Sequence, residues 1–240
     1  MRIAWLLLAL AACHKGGGDD YPVLPGGDDV VIMPMADAPS GGDGPVGDGP
    51  MLAARVCVMD DLRTPGICKS VGAAGYTVTL GTSTATTADD GSFTIVTPTG
   101  SNLVWRASGA DIVSSVIRFS TSPTIPAITT QYYEDLKGSN GIIINQGEAS
   151  IVLFVSGGSL ALAGATSTVN TPAIAGPSLH DTNARLNWPA GTTGAAGIAW
   201  IPNVSPGTDV VTVAAPQQTA QMVTLEVEDQ SISFAAVAFP

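Results

Sequence analysis

The chain has 240 residues, of which only 12% are charged, and its formal net charge is -11, with nine Lys and Arg against twenty Asp and Glu. Nine scattered cations argue against a nucleic-acid partner, which needs clustered Lys and Arg, and against docking on anionic lipid heads. Helix formers are scarce while Gly, Thr, Val, Ser and Pro are plentiful, which predicts an all-β architecture with many turns.

The first element is an apolar run from Ile3 to Leu10, preceded by Arg2 and followed by Ala11, Ala12 and Cys13. A short positive start, about ten apolar residues and small residues before a cut make a secretory signal, and the run is too short to span a bilayer. Leu10, Ala11, Ala12 and Cys13 also resemble the bacterial lipobox. The resemblance implies a signal peptide over 1–12 and a mature chain that begins at an acylated Cys13, palmitate-like chains holding it to a membrane. His14, rather than Asp, follows the cysteine, and by resemblance to the sorting rule of diderm lipoproteins this points to the outer membrane, facing periplasm or cell surface.

Residues 13–52 read as a flexible Gly/Asp/Pro-rich tether. Asp19, Asp20, Asp28, Asp29, Asp37, Asp43 and Asp48 give it solvated repulsion, their spacing lacking the ligand positions of a calcium loop, and Val30 to Met33 is its one apolar island. With Cys13 assigned to lipid, Cys57 and Cys68 remain as an even pair in an oxidising compartment, which predicts a disulfide; two buried thiols are the alternative.

A first folded unit is expected over 53–122. Arg55 to Met59 reads as a strand, Asp60 to Ala74 as a loop, and Tyr76 to Leu80 as a half-buried strand. Thr84 to Ile95 alternates around Asp90 and Gly91, which predicts a hairpin. Leu103 to Ala107 and Ile112 to Phe119 add strands. The run Ala88, Asp89, Asp90, Gly91, Ser92, Phe93, between strands of this kind, resembles the carboxypeptidase regulatory-like domain. That resemblance implies a transthyretin-like (prealbumin-like) β-sandwich, and it imports no peptidase activity, because that domain carries none of the zinc ligands of its partner enzyme. The Cys57 to Cys68 insertion departs from the family pattern.

Residues 123–146 are expected to form a connector, with Pro123 and Pro126 breaking pairing and Tyr132 to Lys137 making one helical turn. A second sandwich is expected over 147–240, with strands at Ala149 to Val155, Leu160 to Val169, Gly197 to Ile201, Pro206 to Val213, Gln221 to Val227 and Ser231 to Phe239. Gly197, Ala199 and Ile201 stand where Gly91, Phe93 and Ile95 stand in the first unit, so the two read as tandem copies, the second a degenerate repeat.

Chemistry is sparse. His180 is the only histidine beyond the tether; beside Asp181 it permits a triad on paper, but no Gly-x-Ser-x-Gly elbow exists and His180 reads as a solvent-exposed or capping residue. Zincin, EF-hand, Walker and dinucleotide signatures are absent, so no cofactor, metal or catalytic residue is expected. Trp105 and Trp200 lie in apolar strands and read as core, whereas Trp188, before Pro189 in a loop, is the candidate ligand contact together with His180. The expectation is a non-enzymatic, lipid-anchored envelope protein that engages a structural or protein partner, with polysaccharide binding as the alternative.

Overall fold

The computed structural model describes residues 49–120, 124–170 and 175–240. The signal segment, Cys13 and nearly all of the tether lie outside them. β1 (Met51–Met59) begins four residues before the expected strand start at Arg55, because its start pairs antiparallel with β4 (Ser92–Val96) from Met51 opposite Val96 onward. β2 (Thr77–Leu80) and β3 (Ser83–Thr86) form a tight hairpin through Gly81 and Thr82, Gly81 supplying φ of 57°. β5 (Val104–Gly109) and β6 (Ile112–Arg118) form the next hairpin.

The hairpin expected around Asp90 and Gly91 is instead a corner. β3 and β4 belong to different sheets, β3 pairing with β2 and β4 with β1. The turn residues behave as such residues do: Asp90 accepts from the Ser92 amide at 2.9 Å and Gly91 has φ of 84°. What sends the chain to the other sheet is the Gly91 carbonyl, which accepts from the Val56 amide at 2.9 Å. A Cβ at Gly91 would stand 2.3 Å from the Val56 oxygen, so only glycine lets the backbones approach.

The expected connector contains a strand, β7 (Thr124–Ile128), parallel to β1 with Pro126 opposite Cys57. Pro126 is tolerated because β7 is an edge strand, where a missing N–H breaks no ladder. The helix that follows, α1 (Thr130–Ser139), is longer than the single expected turn. Its N-cap, Thr129, accepts from the Tyr132 amide at 3.3 Å, and Tyr132, Tyr133 and Leu136 form its buried stripe.

The second half supplies β8 (Ala149–Gly157), β9 (Leu160–Ala161), β10 (Thr166–Val169), β11 (Leu179–His180), β12 (Ile198–Val204), β13 (Gly207–Ala214), β14 (Gln221–Val227) and β15 (Ser231–Phe239). Its pairing retraces the first half. The order β12-β8-β15, antiparallel then parallel, matches β4-β1-β7, and β10-β13-β14 matches β2-β5-β6. Detail follows as well: a Cβ at Gly197 would stand 2.3 Å from the Val155 oxygen, and the Val155 amide donates to Gly197 at 2.7 Å, as at Gly91 and Val56. Thr87 bridges the Tyr76 amide and the Ala73 carbonyl, while Thr193 bridges the Ala165 amide and the Leu162 carbonyl.

β15 joins the halves by pairing in parallel with both β8 and β6, which makes one nine-stranded sheet with order β11-β12-β8-β15-β6-β5-β2-β3 and β9 on β8. Alternation along β15 sends Ala235, Val237 and Phe239 to one face and Ile232 and Phe234 to the other. The first face packs under β10-β13-β14 around Val211, Val213 and Leu225. On the opposite face, β4-β1-β7 covers the β5-β6 end over Val78, Leu80 and Trp105, and α1 covers the β8-β12 end. The all-β architecture is thus a sandwich built on both sides of a shared sheet.

Candidate interaction surface at a disulfide-braced cap

Three segments fall outside the repeated pairing scheme: the loop between β1 and β2, α1 with its flanks, and the loop between β11 and β12. The fold gathers all three over the sheet face bearing Val152, Ile198, Trp200, Ile232 and Phe234. Sites are commonly grafted on a repeated frame in this way.

In the first segment Cys57 and Cys68 form the expected disulfide, with their Cα atoms 4.8 Å apart. The base of this loop is tied to β1: the Lys69 amide donates to the Val58 carbonyl at 2.9 Å, and Arg55 donates to the Lys69 carbonyl at 3.0 Å. Farther out, Ile67 and Val71 are 70% and 65% exposed. The chain therefore holds two apolar side chains in water on a loop tied at its base to β1.

Arginines lock the loops together. Arg63 makes a bidentate pair with Asp61, at 2.7 Å for the shortest contact, and donates to the Asn183 carbonyl at 2.5 Å. Burial acts to raise the Asp61 pKa, but hydrogen bonds and charge from Arg63 outweigh it and hold the carboxyl below its ordinary value. Arg185 donates to the Asp60 carbonyl at 2.6 Å with its guanidinium 5.0 Å from the Tyr132 ring centre. Asn140, past the end of α1, donates to the Leu136 and Leu186 carbonyls and accepts from the Trp188 amide, each at 2.7–2.8 Å.

Beneath the cap, burial pushes the Tyr132 and Tyr133 phenols up to about 12. The Tyr132 hydroxyl accepts from the Leu62 amide at 3.3 Å, and the Tyr133 hydroxyl and Trp200 indole both meet Ser150 Oγ, at 2.7 and 3.1 Å. A cleft of about 410 Å³ opens where the cap meets the start of α1, among Asp60, Lys69, Asp111, Tyr132, Asp135 and Arg185. Lys69 pairs with Asp60 across it at 3.1 Å.

Two expected site residues lie elsewhere than the sequence suggests. Trp188 is 1% exposed, its indole donating to the Arg185 carbonyl at 3.2 Å, so it offers no face for stacking on a sugar. Its loop is pulled onto the core by Asn140, a contact far away in sequence. His180 is neither solvent-exposed nor a cap; it is 2% exposed, and burial lowers its pKa. The paper triad does not assemble among the described residues: Ser178 Oγ is 3.3 Å from His180 Nε2, but Nδ1 makes no hydrogen bond, and both Asp181 oxygens serve backbone amides. Trp105 and Trp200 are core residues, as expected.

Asp181 was missed as a structural residue. It accepts from the Gly194, Ala196 and Ile198 amides at 2.9, 2.9 and 2.7 Å, pinning the corner that leads into β12. The local signal was the turn Gly194 to Gly197, whose amides need an acceptor, but nothing nearby in sequence names it. Arg63, Arg185 and Asn140 were invisible for the same reason. Cys13 lies outside the described residues. No family model matches the chain, and no curated protein matches it.

Proposed function

We propose that the chain is a lipid-anchored envelope protein, held to the outer membrane through Cys13, whose regulatory-like β-sandwich body acts as a non-catalytic protein-interaction module. The observation that carries this reading is the disulfide-braced loop that displays Ile67 and Val71 beside a charged cleft. Ordering a loop before binding removes an entropic cost of association, and apolar residues ringed by charge are the usual make-up of an interface centre and rim. The disulfide itself accords with an exported protein, since such bridges persist in oxidising compartments. The polysaccharide alternative has lost its aromatic platform with the burial of Trp188.

The test is site-specific photo-crosslinking from residue 67 in the full chain within an envelope. A single reproducible protein adduct, lost in an Ile67→Asp, Val71→Asp double variant that melts like the parent, supports the module. Adducts unchanged by the double variant would sink it. Anchoring has its own readout: the parent should enter the detergent phase with added acyl mass and Cys13→Ser should not.

A further inference from the structure

Each sheet of a sandwich ends in edge strands, and proteins blunt such edges by shortness, proline, charge or cover. Among the described residues most of the edge strands are very short or carry proline. β3 and β10 have four residues each, β11 has two, and β7 carries Pro126. β4 has five. β14 is the longest of these edges, seven residues reading Gln-Met-Val-Thr-Leu-Glu-Val with Glu226 as its one charge and no proline, paired on one side only, with β13.

The direction of its free backbone groups follows from register. The Asn170 amide donates to the Val210 carbonyl at 2.7 Å, so Val210 turns its backbone toward β10 and away from β14. Its antiparallel partner Thr224 must then turn away from β13, and so must Met222 and Glu226. Ser233, which donates to the Glu226 carbonyl at 2.6 Å, agrees. The Glu226 carbonyl is thereby satisfied, and the Met222 and Thr224 backbone groups are turned outward on exposed residues, Met222 being 73% exposed.

A cleft of about 370 Å³ separates this edge from β5 and β6, with Val104, Arg118 and Asn102 on one side and Thr224, Leu225 and Glu226 on the other. Glu226 is held by the Thr208 hydroxyl at 2.9 Å. Arg118 donates to the neutral Asn102 at 3.1 Å and, among the described residues, pairs with no carboxylate. The molecule already shows what such an edge accepts. β6 holds the position in the first half that β14 holds in the second, and β6 takes β15 as an added strand.

We infer that β14 is a docking edge for an extended segment of a partner protein, which adds as a further strand on Met222 and Thr224 and places an acidic side chain on Arg118. Main-chain bonds supply the attachment and the Arg118 contact the selectivity. This surface is separate from the Ile67 and Val71 loop and does not depend on it.

The experiment uses the full chain and two synthetic peptides of about ten residues, both alternating valine and threonine, one with a central aspartate and one with lysine there. Backbone hydrogen exchange is read at Met222 and Thr224. The aspartate peptide should slow both amides and bind at least about tenfold more tightly than the lysine peptide. Arg118→Glu, an exposed change that leaves the fold alone, should reverse that order, and Thr224→Pro should weaken both peptides about tenfold by removing the edge donor. If Thr224→Pro fails to fold, the Arg118→Glu reversal decides. No slowing with either peptide, equal binding of the two, or slow exchange without peptide in a chain of doubled mass would overturn the inference, the last by assigning the edge to a second copy.

Discussion

Gly91 and Gly197 show how one residue type decides a corner. Each sits at positive φ, 84° and 67°, with a backbone oxygen 2.3 Å from where a Cβ would be. Alanine must therefore push two strands apart as well as strain its own backbone, and each substitution should cost about 2–4 kcal/mol, read as a lowered urea midpoint. Asp181→Ala leaves three amides at the second corner without their acceptor and should cost about 2–4 kcal/mol in the same assay, Asp181→Asn restoring only part. His180 gives a pH signature. Burial lowers its folded pKa, opposed by the Asp181 charge, so between the folded value and the ordinary 6.5 the unfolded chain binds a proton that the native chain does not. Stability should be fully present above 6.5, fall as pH drops below it and level off once the folded value is passed. Melting curves of His180→Gln should lack this step, and an unchanged step would refute the assignment.

At the scale of elements, the disulfide loop and α1 carry the cap. Cys57 and Cys68 are 11 residues apart, so in the loop-entropy account the bridge stabilises by about 3 kcal/mol. Cys57→Ser with Cys68→Ser should lower the unfolding free energy to that extent, read from the urea midpoint, and raise exchange in residues 60–74. Because Arg63 and Arg185 tie that loop to the loop containing Trp188, the loosening should spread there, visible as increased Trp188 accessibility to a quencher. Helix α1 is a reminder that local preference is a weak guide. Its mixture of Thr, Tyr, Gly and Ser reads as little helix, yet Thr129 caps its start and the Tyr132, Tyr133, Leu136 stripe finds a core to enter.

For the whole molecule, β15 is the strand on which both halves depend. It pairs with β8 and β6 and places side chains in the cores on both faces of the shared sheet. The first half, despite its own full set of strands, leaves the β6 edge and Ile117 uncovered without it. Calorimetry of the parent should therefore show one transition, and deletion of 231–240 should unfold residues on both sides of α1. Survival of a native first half in that deletion, seen as retained protection of β2 and β5 amides, would refute this coupling.

What the sequence determined by itself was whatever depends on near neighbours. Alternation placed most strands, Asp90 and Gly91 marked a turn, the even cysteine pair marked the disulfide, and the glycine at 197 marked a turn like that at 91. These signals are local because side-chain period and φ preference act within a few residues. Which strands pair was another matter. The corner at Gly91 resembles a hairpin until Val56 is known to lie beside it, Pro126 resembles a break until β7 is known to be an edge, and Trp188 resembles an exposed platform until Asn140 draws its loop inward. Only the tertiary structure decided these, because each rests on a hydrogen bond or an edge supplied by residues remote in the chain, and backbone groups leaving a turn are satisfied by whichever partner the folded sheet presents.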